Sequence, residues 1–148
     1  MNRRTFLHTA ACGAGAALAT PRYANQADPT ANRPRLRLGF IGASHSHAEA
    51  KLKLAQQSPD YTLVGVYDEA PAVRDQCAQM GVPCRPLETV LERSQVIAVE
   101  SAVRDHARHA KWALEADRHV HVEKPPAVSL DGLRELVELA RAEREELL

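Results

Sequence analysis

The chain carries no excess of charge, with 19 lysines and arginines against 19 aspartates and glutamates among 148 residues. Its basic residues are scattered, so it lacks the concentrated positive surface with which proteins hold nucleic acid or an anionic membrane. Long hydrophobic runs are missing too. The weakly apolar, uncharged stretch from Thr9 to Ala19 falls short of the roughly 20 apolar residues that a membrane-spanning helix needs. There is no internal repeat, and no low-complexity tract beyond that N-terminal stretch. Cysteine is scarce at three residues; Cys77 and Cys84 could bridge or stay as two thiols, and their spacing does not decide between these. What remains, 45% hydrophobic and 26% charged, is the composition of one globular domain suited to a small polar ligand.

The N-terminus reads as an address rather than as fold. Asn2-Arg3-Arg4-Thr5-Phe6-Leu7 is a twin-arginine pattern, and Ala17-Leu18-Ala19 supplies the small-x-small signature of a signal peptidase. Residues 1–19 are therefore expected to be a twin-arginine signal peptide, cleaved after Ala19 on export to the periplasm. Residues 20–34, with Pro21, Pro29 and Pro34 among polar residues and no apolar periodicity, read as a linker. The folded domain is expected over 35–148.

From Arg35 onward short β-type runs alternate with helical stretches. Strands are expected at Leu36 to Ile41, Tyr61 to Tyr67, Val82 to Cys84, Val96 to Val99 and His119 to Val122. Helices are expected at His45 to Gln57, Ala70 to Met80, Leu87 to Arg93 and Asp105 to Ala116. A last helix is expected after Ser129, an N-cap, with Leu130, Leu133, Leu136, Val137 and Ala140 on one face. Such alternation points to an α/β fold with a parallel sheet covered by helices.

Three features of this alternation carry chemistry. The first strand runs into Gly42-Ala43-Ser44-His45-Ser46-His47 and then a helix, the setting in which glycines let a backbone turn tightly against a pyrophosphate. Gly42 is kept, while Ser44 and His47 stand where the second and third glycines of such loops belong. Asp68 lies 26 residues beyond Gly42 at the end of the second strand, placed to accept hydrogen bonds from an adenosine ribose. A carboxylate there repels a 2′-phosphate, so NAD is favoured over NADP. His45 and His47 invite a metal reading, but two imidazoles without a cysteine or carboxylate at ligand spacing are poor evidence for zinc, and no metal is expected. Contact with cofactor or substrate, or a capping role, stays open for them. Lys124 closes an apolar strand; partial desolvation there would lower its pKa, and Glu123 could hold it by charge pairing.

Ala113-Leu114-Glu115-Ala116 leads through His119-Val120-His121-Val122 to Glu123-Lys124-Pro125. Together with Leu63-Val64-Gly65-Val66-Tyr67-Asp68 and with His106 after the fourth strand, these motifs resemble the N-terminal domain of the glucose-fructose oxidoreductase / inositol dehydrogenase / MocA family from Arg35 to about Ala142. The resemblance implies a Rossmann-type, doubly wound parallel sheet binding a nicotinamide dinucleotide. It places Gly42, Ala43, Ser44, His45, Asp68, Ser101, His106, Glu123, Lys124 and Pro125 at the cofactor, and makes Lys124 the catalytic residue beside the nicotinamide and the substrate hydroxyl. It also implies a cis bond before Pro125. Ser101-Ala102-Val103 replaces the Thr-Pro-Asn type of turn after the fourth strand, and Asp117 replaces a helix-ending glycine.

The family's C-terminal α/β domain, which shapes the substrate pocket, is missing from these residues. The expectation is therefore the NAD-binding domain of an exported oxidoreductase acting on CH–OH groups of a sugar or polyol, truncated and inactive alone, with a homo-oligomer left open. The alternative is a non-catalytic nucleotide- or partner-binding module.

Overall fold

The computed structural model describes residues 33–145; the expected signal peptide, its cleavage point and all of the linker but its last two residues lie outside the described residues. Four strands, β1 (Leu36–Ile41), β2 (Tyr61–Tyr67), β3 (Val96–Val99) and β4 (His119–Val122), form one sheet in the order β2-β1-β3-β4, every pair parallel. The helices are α1 (Ala48–Gln57), α2 (Pro71–Gln79), α3 (Leu87–Arg93), α4 (His106–Glu115) and α5 (Leu130–Glu145), with a 3₁₀ turn at Val103–Asp105 leading into α4.

Strand side chains alternate between two cores because successive Cβ atoms point to opposite faces. Leu38, Phe40 and Ala98 pack with Leu52 and Ala55 of α1 and Cys77 of α2. Ile41, Ile97 and Val99 pack on the other face with Val90 of α3, Ala110 and Ala113 of α4, and Leu136 of α5. Phe40, Ile41, Leu52 and Ile97 are fully buried, each favouring the fold by about 1.5–3 kcal/mol relative to exposure. Both faces being covered explains why β1 and β3 read as nearly unbroken apolar runs.

The segment Val82 to Cys84 is not a full strand. Its contact with the sheet is one parallel bridge, Val66 to Cys84, where the β2 register shifts by a residue and Gly65 (φ 148°) leaves room for the Pro83 carbonyl. Cys77 and Cys84 are free thiols, and burial pushes Cys77 up to about 11, leaving it protonated and unreactive at neutral pH.

The first helix begins at Ala48 rather than His45. The His45 N–H donates to the Glu100 carbonyl oxygen, and the His47 N–H donates to His45 Nδ1, so residues 45–47 form a turn before the helical ladder starts. At α5 the expected cap is present, with Ser129 Oγ accepting the Gly132 N–H at 3.1 Å. The apolar stripe of α5 is only partly covered: Leu136 is buried, but Leu130 is 70% exposed. The stripe borders an open groove of about 570 Å³ along the free edge of β4, lined by Leu114, Val120, Val122, Leu133, Leu136 and Val137. Among the described residues no further strand covers that edge. None of the described helices is long and apolar enough to cross a membrane.

Gly42 has a positive φ of 78°, and a Cβ there would fall on the Cα, Cβ and N of Ser101, inside van der Waals contact. Gly81 shares the left-handed backbone, φ 70°, but faces open space. Gly81→Ala is expected to cost about 1 kcal/mol from backbone strain alone. Gly42→Ala is expected to cost about 2–4 kcal/mol because the overlap falls on backbone that cannot give way. Urea denaturation of the two variants side by side checks this difference.

Candidate functional site

Parallel strands bring their C-terminal ends to one edge, and chain reversal between β1 and β3 opens a crevice there. Gly42 and Ser44 follow β1, Asp68 follows β2, and Ser101 follows β3; all four line one cleft of about 240 Å³. Asp68 braces the cleft from below: its Oδ2 accepts the Ala43 N–H at 2.9 Å and its Oδ1 accepts the Ala70 N–H at 2.8 Å. Each oxygen keeps a lone pair for a further donor. The Ser101 Oγ is buried in the structure without a hydrogen-bond partner, and α1 has no side chain capping its first turn. A bracing acid, an orphaned hydroxyl and an uncapped helix N-terminus are the donor and acceptor set that a ribose and a pyrophosphate use.

Ala43 contributes its backbone N–H, as the loop requires, and packs its methyl against the core. His45 is half-buried, its ring 5.0 Å from that of His47 and 5.9 Å from that of His106. The exposed Ser44 lines the cleft, so its hydroxyl stands where a second glycine would have left space.

His106 occupies a different position from the one expected of a cofactor contact. It is fully buried, one ring nitrogen 2.8 Å from the Pro125 carbonyl oxygen and the other 2.9 Å from the Ser101 carbonyl oxygen. Its ring thus sits between the turn after β4 and the turn after β3 and donates to at least one of their carbonyl oxygens. The Lys124-Pro125 bond is cis, and Asp117 takes the left-handed conformation (φ 56°) that a glycine would otherwise supply.

Two expectations about Lys124 need correction. Its side chain is exposed rather than desolvated, and Glu123 does not pair with it. Glu123 instead receives the ammonium of Lys51 on Oε2, and its Oε1 accepts the Lys124 backbone N–H at 2.9 Å. The reason is direction: Glu123 turns inward at the strand end, becoming 7% exposed, while its neighbour points outward to solvent.

Lys51 and Glu100 were not singled out from sequence. Lys51, on α1, reaches Glu100 Oε1 at 2.5 Å as well as Glu123, and Glu100 is fully buried with its Oε2 unpartnered. Burial alone would lower the Lys51 pKa, but hydrogen bonds to Glu100 and Glu123 outweigh it and raise the value. The Lys51 ammonium, followed by the Lys124 N–H, holds the Glu123 carboxyl down to about 2. One sequence signal was available for Glu100, an acid directly continuing the apolar run Val96–Val99.

An open parallel sheet with a ligand crevice at its switch point and an acid ending the second strand defines a dinucleotide-binding domain. Residues 36–147 match the family model described as "Oxidoreductase family, NAD-binding Rossmann fold", and the chain belongs to this family, that of glucose-fructose oxidoreductase, inositol dehydrogenase and MocA. It is 32% identical over 111 residues to D-glucoside 3-dehydrogenase of Escherichia coli (strain K12), covering 72% of this chain and 32% of that protein. It is 34% identical over 114 residues to dTDP-3,4-didehydro-2,6-dideoxy-alpha-D-glucose 3-reductase of Streptomyces antibioticus, covering 74% and 34%. A solved Gfo/Idh/MocA family oxidoreductase from Vibrio cholerae matches with a TM-score of 0.63 and 26% identity over 73% of this chain and 36% of that one. The chain therefore spans about a third of the length of the curated relatives it matches.

Because the folded Glu123 carboxyl titrates near 2 instead of its ordinary 4.5, its ion pair adds stability above pH 4.5 that is lost as the pH falls through 2. The urea midpoint of the wild type is expected to drop over this window. Lys51→Met removes the main cause of the shift, so the variant is expected to be less stable at pH 7 and to lose less on acidification.

Proposed function

We propose that this chain is the cofactor half of an oxidoreductase that oxidises or reduces a CH–OH carbon of a sugar or polyol, with NAD preferred over NADP. The observation that carries the reading is the cleft in which Gly42, Ser44, Asp68 and Ser101 meet at the switch point of the sheet. Asp68 would accept from the adenosine ribose hydroxyls. With Glu69 beside it in the same lining, it would repel a 2′-phosphate. The pyrophosphate would rest on the Gly42 loop and the first turn of α1.

Nicotinamide, when bound, supplies the hydride acceptor or donor. The exposed Lys124 amine, directly after β4, would share the proton of the substrate hydroxyl. The sugar substrates named for the two curated relatives support this class of substrate. Hydride transfer also needs the two carbons held in contact in a water-poor pocket. Lys124 is exposed to solvent, so the described residues would bind cofactor without by themselves excluding water from the reacting carbons. A non-catalytic nucleotide- or partner-binding module is the second reading, favoured by the uncovered apolar groove along β4.

Calorimetric titration of NAD and NADP into the folded chain tests the proposal. Saturable binding with NAD preferred is expected, and Asp68→Ala is expected to weaken NAD by about tenfold, the loss of one good charge-assisted hydrogen bond, while narrowing the preference. Absence of binding by demonstrably folded protein would overturn it.

We also propose export through the twin-arginine route, supported by Arg3-Arg4 and the small-residue run that follows. Changing both arginines to lysine is expected to leave the protein in the cytoplasmic fraction; unchanged periplasmic recovery would refute the route.

A further inference from the structure

Beside the cleft, segments distant in sequence bring together two groups of three potential metal ligands that share Glu123. His45 and His47 lie in the turn before α1 and Glu123 lies at the end of β4, and their ligating atoms all fall within 4.8 Å of one another. Glu100 and His121 form a second such group that shares Glu123. His47 Nδ1 stands 3.5 Å from Glu123 Oε2, which is already the ligand-to-ligand spacing around a tetrahedral ion whose bonds are about 2.1 Å long.

The charge of this corner is unbalanced. Two carboxylates, Glu100 and Glu123, share the single ammonium of Lys51. The Glu100 Oε2 is buried without any partner, although a buried carboxylate oxygen normally finds one. Lys51 also lies 3.2 Å from His121 Nε2. The corner therefore has more acceptors and more negative charge than its one cation satisfies.

From this arrangement we propose that His45, His47 and Glu123 bind a divalent transition cation of the zinc class. Two imidazoles and one carboxylate exclude magnesium and calcium, which take oxygen ligands, and suit zinc and its neighbours. Three protein ligands leave the fourth position open to water or to an oxygen of a bound molecule. On binding, the cation takes Glu123 from Lys51, and Lys51 keeps Glu100. The sequence alone hides this set because its carboxylate lies 76 residues beyond His47.

The test is titration of the chelator-treated full chain with Co²⁺, followed by its visible absorption, and with Zn²⁺, followed by calorimetry. One equivalent is expected to bind, with the intense visible bands of a four-coordinate nitrogen and oxygen site and no thiolate charge-transfer band. His47 is largely exposed, so His47→Ala preserves the fold and is expected to weaken binding tenfold or more, as is His45→Ala. His119→Ala, on the same strand but outside the cluster, is expected to change nothing. Lys51→Met, which removes the resident cation, is expected to tighten binding. Failure of Co²⁺ and Zn²⁺ to bind, a thiolate band, or equal affinity in the His45 and His47 variants would overturn the proposal.

Discussion

A single ammonium group sets the geometry at the open end of the sheet. Lys51 projects from α1 and meets carboxylates at the ends of β3 and β4, joining three elements that are separate in sequence. Without it two inward-facing carboxylates would share a corner with no positive charge, and removal of a partner from a buried ion pair costs several kcal/mol. The inward turn of Glu123 in turn presents Oε1 to the Lys124 N–H. That bond fixes the backbone at the start of the Lys124-Pro125 turn and sends the Lys124 side chain outward. The placement of Lys124 at the strand end thus depends on Lys51.

His106 makes a second tie of a different kind. Its ring lies between two carbonyl oxygens, those of Ser101 and Pro125, so the turns after β3 and β4 pack on one buried group. Gly42 then presses the turn after β1 against the backbone of Ser101. In this chain the first loop glycine is required by loop-to-loop packing, whether or not a phosphate is present. The positions of the second and third glycines are less constrained: Ser44 is exposed, and His47 sits at the helix cap with its ring turned to solvent and Glu123.

The four strands of the sheet were legible almost to the residue because β1, β2 and β3 are rich in β-branched and apolar side chains and each strand is followed by a charged residue or glycine, whereas the expected strand Val82 to Cys84 meets the sheet at a single bridge. The Asp68 end of β2 and the Gly42 loop were legible for the same reason: they mark where apolar runs stop. What could not be read was everything decided by side-chain direction across the sheet. Glu123 and Lys124 are adjacent in sequence, which suggested a pair, yet successive residues at a strand end point opposite ways. The Lys51 and Glu100 contact spans 49 residues, beyond any local signal. The helix α1 starts three residues later than expected because the Glu100 carbonyl, directly after β3, captures the His45 N–H.

These constraints give the cleft, at the Asp68 end of the sheet edge, and the corner beside it, at the Glu123 end, different characters. At the Asp68 end, lone pairs are spare, a hydroxyl is unpartnered and the loop backbone is set. At the Glu123 end, one oxygen is held by a backbone N–H and the other by Lys51 with His47 close by. A bound cation and Lys51 would compete there for the same oxygen. Glu100, buried directly after β3 with its Oε2 unpartnered, would leave Lys51 a second carboxylate to hold if a cation took Glu123.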